Sequence, residues 1–80
     1  MTVNELARAL SEMYESADRG EKTTMIHLFG IRYAEIIIRN KYSASEILKE
    51  TRLQNGKKMD ASYNTEISKG IRLSRYVTER

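Results

Sequence analysis

Eighty residues, no cysteine and one histidine leave room for one small domain and exclude disulfides, thiolate metal sites and a histidine-built zinc site. The formal charge is +3, and its distribution is uneven: residues 1 to 40 carry five Lys and Arg against six Asp and Glu, and residues 41 to 80 carry nine against five. A basic excess confined to the second half fits a polyanionic partner on one face, or an ordinary basic protein. The opening MTVNELARAL has no basic stretch leading into an apolar run, and the longest uninterrupted apolar run, Ile36 to Ile38, is far too short for a bilayer. The expectation is a soluble cytoplasmic chain without an export signal or membrane contact, folded as one domain over residues 1–80, since no proline, repeat or low-complexity stretch marks a linker.

The first element is a helix over residues 3 to 19. Val3, Leu6, Ala7, Leu10, Met13, Tyr14 and Ala17 recur at helical spacing, Thr2 or Asn4 supplies the cap, and Gly20 the stop. After Glu21 and Lys22, the residues Met25, Ile26, Phe29, Tyr33, Ile36 and Ile37 follow the same period. Leu28 and Ile38 widen that stripe, so this second helix is expected to be buried on more than one side. Gly30 costs it about 1 kcal/mol relative to alanine, so either the helix bends there or another backbone comes close. The β-branched run at 36 to 38 also suits a strand, but the apolar period runs through it and favours helix.

Ser43 and Glu46 have the spacing of a capping box and open a short third helix with Ile47, Leu48 and Leu53 on its apolar side. Asn55-Gly56 is a turn signal. It also marks hairpins, yet alternating apolar flanks are missing. Asp60 or Ser62 caps a fourth helix with Tyr63, Ile67 and Ile71 along its inner edge. Gly70 either ends that helix or lets it approach a neighbour, and the stretch Ile71 to Val77 continues as helix or as an extended tail. The fold class is therefore all-α: a compact four-helix domain whose last two helices form a C-terminal helix-turn-helix, the first two forming a scaffold and a dimer surface.

In a helix-turn-helix the second helix enters the major groove of duplex DNA, which is roughly 12 Å wide and admits one helix. Here the outer face of the fourth helix is polar. Asn64 suits the N6 and N7 edge of adenine, and Ser62, Thr65, Ser68 and Lys69 are further base-contact candidates. Lys57, Lys58, Arg72 and Arg75 suit phosphates, which position a protein and make its binding salt-dependent. The turn, however, exceeds the motif's usual span of about three or four residues. Tyr63 reads as a half-buried anchor rather than a base-stacking residue, and His27 as structural or surface rather than catalytic. No serine has a base beside it, no glycine loop cradles phosphate, and no cofactor, metal or small-molecule ligand is implied, so an enzyme is not expected.

The stretches GEKTTMIHLFGIRYA (20 to 34) and SYNTEISKGIRLSRYV (62 to 77) resemble those of a family of small prokaryotic helix-turn-helix-like proteins of about this length. The resemblance runs in order from the first helix to Val77. It implies DNA binding, with members that turn up near mobile-element or restriction-type genes, and within the ending it matches Ser62, Tyr63, Asn64, Thr65, Glu66, Lys69 and Gly70. The longer, more basic turn LQNGKKMDA departs from it. The expected function is sequence-specific binding of double-stranded DNA by a homodimer acting as a small transcriptional regulator. The alternative is a protein-interaction module that docks a partner on an exposed Met25, Phe29, Tyr33 and Ile37 stripe of the second helix. Single-stranded or structured RNA is a third possibility, for which the aromatic residues offer some stacking capacity.

Overall fold

The computed structural model describes residues 1–77. Four helices follow one another: α1 (Val3–Ser16), α2 (Lys22–Arg39), α3 (Ala44–Glu50) and α4 (Tyr63–Leu73). The all-α expectation holds, with one isolated backbone bridge as the only extended pairing among the described residues.

Helix α1 starts in a capping box. The Thr2 hydroxyl accepts from the Glu5 N–H at 3.1 Å and the Glu5 carboxylate accepts from the Thr2 N–H at 2.8 Å. Its end differs from the expected Gly20. The helix stops at Ser16, because Ala17 is extended and the last carbonyls find other donors: the Lys22 ammonium donates to Tyr14 O at 2.8 Å and the Ser16 hydroxyl to Met13 O at 3.2 Å. Gly20, at φ +89°, serves instead as the left-handed corner of a turn closed by Glu21 N–H to Asp18 O.

Leu6, Leu10 and Met13 of α1 meet Ile26, Phe29 and Ile37 of α2 in the core, which Ile47, Leu48, Met59 and Ile67 complete. Ile36 to Ile38 are helical, as the apolar period requires. The broad burial expected of α2 is only partly realised: Leu28 is partly buried, but Ile38 is 62% exposed. The proposed docking stripe is overturned more sharply. Phe29 and Ile37 are sealed in the core at 0% and 2% exposure, and Met25 and Tyr33 pack against them, so that stripe holds the domain together and is not free for a partner.

Gly30 and Gly70 place α4. A Cβ on Gly70 would overlap the His27 carbonyl oxygen and lie 3.0 Å from the Gly30 Cα; one on Gly30 would lie 2.7 Å from Ile67 O and 2.8 Å from the Gly70 Cα. The two backbones therefore touch, which is the close-approach reading of both glycines, and α4 continues through Gly70 rather than ending there. Beyond Leu73 the chain keeps winding, with Ser74 N–H on Gly70 O and Val77 N–H on Leu73 O.

Candidate nucleic-acid interface

Helix α3 opens with the expected capping box: the Glu46 N–H donates to the Ser43 hydroxyl at 3.1 Å and the Ser43 N–H to the Glu46 carboxylate at 2.9 Å. It is short, and a 12-residue connection separates it from α4. That connection is organised despite its length. Thr51 is fully buried with its hydroxyl on Ile47 O at 2.7 Å, and Met59 is buried in the core. Between them Arg52 and Lys58 form the antiparallel bridge, Leu53 N–H donates to Lys57 O, and Gly56 N–H to Leu53 O with Gly56 at φ +82°. Asn55-Gly56 thus makes a minimal hairpin after all. Alternating apolar flanks are unnecessary because the pairing is a single bridge, anchored from outside by Thr51 and Met59.

The hairpin delivers Asp60 to the start of α4. Its carboxylate accepts from the Ser62 N–H at 2.8 Å and its carbonyl from the Tyr63 N–H, while the Ser62 side chain makes no capping bond. Asp60 is the cap, and hydrogen bonding from Ser62, its backbone N–H first and then its side chain, holds the Asp60 carboxyl below the usual carboxylate range. Ser62 keeps an exposed hydroxyl.

Ile67 is buried on the inner side of α4, with Tyr63 and Ile71 partly buried beside it, as expected from their spacing. Tyr63 meets Tyr14 edge-on at 5.6 Å between ring centres, with the two hydroxyls 3.3 Å apart. That contact makes it an anchor, and it pushes the Tyr14 phenol up to about 12. His27 of α2 has a structural role: its Nε2 lies 2.6 Å from the Glu66 carboxylate, a second tie between α2 and α4. The bond to His27, then the Lys69 charge, hold the Glu66 carboxyl low.

With that side occupied, Asn64, Thr65, Lys69 and Arg72 are exposed and Ser68 is half-buried on the shoulder. Thr65, Lys69 and Arg72, at spacings of four and three, form one outward row. Lys69 is partly committed, with its ammonium 3.6 Å from Glu66. Asn64 lies at the flank, in a shallow groove of about 230 Å³ whose polar lining is Ser45 and Lys49 of α3, Lys58 and Asn64 itself, over Leu48, Met59 and Ala61. Lys57 sits on the exposed hairpin with its N–H on the Asn55 side chain. At the other end of α4, Lys69, Arg72 and Arg75 line a second groove with His27, Leu73 and Tyr76.

The candidate residues therefore fall into two cationic clusters joined by the α4 row. Lys58 and Asn64 come together near its start; Lys69, Arg72 and Arg75 come together near its end, centred about 12 Å along the helix from Asn64. Ser45 and Lys49 had no signal of their own in the sequence, because their proximity to Asn64 depends on the path of the connection. Among the described residues no cluster of three or more His, Asp or Glu side chains gathers to hold a metal ion, and no helix is long and apolar enough to cross a membrane.

A short capped helix, an anchored connection and a following helix seated on a scaffold with its polar side outward define a helix-turn-helix-like domain, a class that points to DNA binding in general terms. The family model described as an HTH-like domain matches residues 2–80, and the chain belongs to that family. No curated protein and no solved structure matches it significantly.

Proposed function

We propose that the chain acts as one unit that binds double-stranded DNA with sequence preference through α4, and regulates transcription in the cytoplasm of a prokaryote by occupying its site as a homodimer. The observation that carries this reading is the seating of α4: backbone contact at Gly30 and Gly70 turns one side inward, the opposite side presents Thr65, Lys69 and Arg72 to solvent, and Asn64 is exposed at the flank. A helix held that rigidly keeps its polar atoms in register with base edges, which loops do less well. Ser62, Asn64, Thr65 and Lys69 read bases, with Ser68 contributing only from the shoulder. Lys57, Lys58, Arg72 and Arg75 contact phosphates on either side, with Lys49 as an addition from α3. Nothing in this mechanism requires bond chemistry. Two recognition helices related by a two-fold axis would meet an inverted repeat with half-sites about 34 to 36 Å apart.

Selection of bound sequences from random duplex DNA at two salt concentrations tests this reading. The expected result is an enriched inverted repeat with affinity that falls steeply with salt. Asn64→Ala is expected to change the preferred sequence, each lost bidentate contact costing about 1 to 3 kcal/mol of discrimination. Replacing Lys57 and Lys58 together by alanine should weaken all sequences alike and flatten the salt slope. Equal loss on every sequence after Asn64→Ala would remove base reading from α4.

A further inference from the structure

Among the described residues the exposed large apolar side chains are Met1, Ile38, Leu73, Tyr76 and Val77. Leu73 and Tyr76 line the groove with Lys69 and Arg72, which belongs to the cationic cluster described above. Ile38 and Val77 line a different groove of about 690 Å³, between the second half of α2 and the turn that follows α4. Of its lining, the proposed function uses only Arg75, which borders both grooves. Two chemistries meet there. Ile31, Ala34 and Ile38 follow one another at spacings of three and four, with buried Ala34 as the low point between two larger side chains. Arg32 and Arg39 each stand next in sequence to one of those isoleucines, and Arg75 adds a third guanidinium from the far side. Among the described residues Glu35 is the one carboxylate in the lining.

We infer that this groove docks an acidic amphipathic helix of a partner protein, laid along α2 with its apolar stripe on Ile31, Ala34 and Ile38 and its carboxylates toward the arginines. Spacing selects a helix. Ile31 and Ile38, like Arg32 and Arg39, stand seven positions apart, which is two turns and about 10 Å along α2. A second helix repeats its own like positions at the same interval, and apolar residues three and four apart form the seam by which helices pack side by side. An extended peptide repeats one face about every 7 Å and would fall out of step. The small Ala34 leaves a hole between the isoleucines that a side chain of the occupant can enter.

Charge selects the sign. Glu35 is already engaged, since its carboxylate accepts from Arg39 within the chain. The Arg39 guanidinium has five N–H donors and can take a second carboxylate beside Glu35. Arg32 donates through one of its N–H groups to Met13 Sδ at 3.6 Å, and Arg39 with Arg75 already outnumbers Glu35. Exposed ion pairs add little energy, so they fix sign and orientation while burial of Ile31, Ile38 and Val77 supplies the association. A phosphate backbone would satisfy the arginines and leave those apolar side chains wet. A basic helix would cover them and meet repulsion.

Selection of displayed random peptides on the immobilised full chain, without DNA, tests this surface. The expected enrichment is of sequences with apolar residues three and four apart, interleaved with Asp and Glu. The strongest of these peptides, labelled for fluorescence anisotropy, is expected to bind Ile38→Asp at least about tenfold more weakly than wild type. Arg39→Glu is expected to weaken it too, and a peptide with one acidic residue replaced by lysine is expected to regain binding to that variant. Both positions are exposed, and circular dichroism verifies that the variants remain folded. Enriched acids without the apolar spacing would mark a face for nucleic acid and overturn the proposal. Peptides indifferent to Ile38→Asp, or no enrichment, would overturn it as well. So would a second copy of the chain on this face, read in sedimentation equilibrium as a dimeric wild type and a monomeric Ile38→Asp. A chain that binds such peptides yet no duplex would contradict the proposed function and leave this inference standing.

Discussion

Two junctions hold α4, and they are built on opposite principles. Against α2 it rests backbone on backbone, where Gly30 and Gly70 leave no room for a side chain. Against α3 it is connected by a hairpin in which Gly56 has nothing around a would-be Cβ, and position is set by buried side chains, Thr51 and Met59. The first junction decides which face of α4 looks outward. The second decides what stands beside its first turn, namely Lys58 from the hairpin and Lys49 and Ser45 from α3. A recognition surface read along α4 alone would contain only the first of these.

The contrast breaks most severely at Gly70. Alanine favours a helix over glycine by about 1 kcal/mol, but at this position its Cβ would meet the His27 carbonyl, which cannot swing aside. Gly70→Ala is expected to cost a net of about 3 kcal/mol or more and to release α4, read as lost helicity and a lowered urea midpoint. Gly56→Ala should cost only about 1 kcal/mol, since open space surrounds it and only its φ of +82° opposes a side chain. Similar losses from the two would erase the distinction.

Met59→Ala tests the second junction. Removing a buried methionine side chain is expected to cost about 2 kcal/mol in a denaturant titration while α4 stays docked on α2. In amide hydrogen exchange the loss of protection should concentrate in residues 51–62 and spare α4. Loss of protection across α4 as well would make the two junctions one cooperative unit.

The smallest effect concerns the His27–Glu66 tie. A carboxyl held low in the fold contributes stability that is present above its ordinary pKa of 4.5 and lost as pH falls through the lower folded value. Thermal midpoints are therefore expected to drop on acidification below pH 4.5, with Asp60 contributing to the same decline. In Glu66→Gln that decline should be shallower, and the midpoint at neutral pH slightly lower. An unchanged acid profile would assign no role to the tie.

Much of this architecture was legible because its causes are local. Capping boxes at Thr2 and Ser43 and apolar stripes in α1, α2 and α4 depend on residues within a turn or two of each other. Gly30 and Gly70 were ambiguous for the opposite reason: a close approach involves two backbones forty positions apart, and neither glycine names its partner. The hairpin was missed because one bridge needs no strand pattern, only buried anchors whose burial is a tertiary fact. The apolar face of α2 was seen, but the same period leaves open which residues meet the core. Phe29 and Ile37 went inside, and Ile38 stayed out. Within the candidate site, the polar outward row of α4 could be read from spacing; the neighbours of Asn64 could not.

The most direct test of the central claim is residue-by-residue mapping by nuclear magnetic resonance, following backbone amide shifts as a duplex is added at low salt. Shifts concentrated at Ser62, Asn64, Thr65, Lys69 and Arg72, with Lys57 and Lys58 beside them, are the expected result. Shifts that avoid α4, or no shifts at any duplex concentration, would contradict the account.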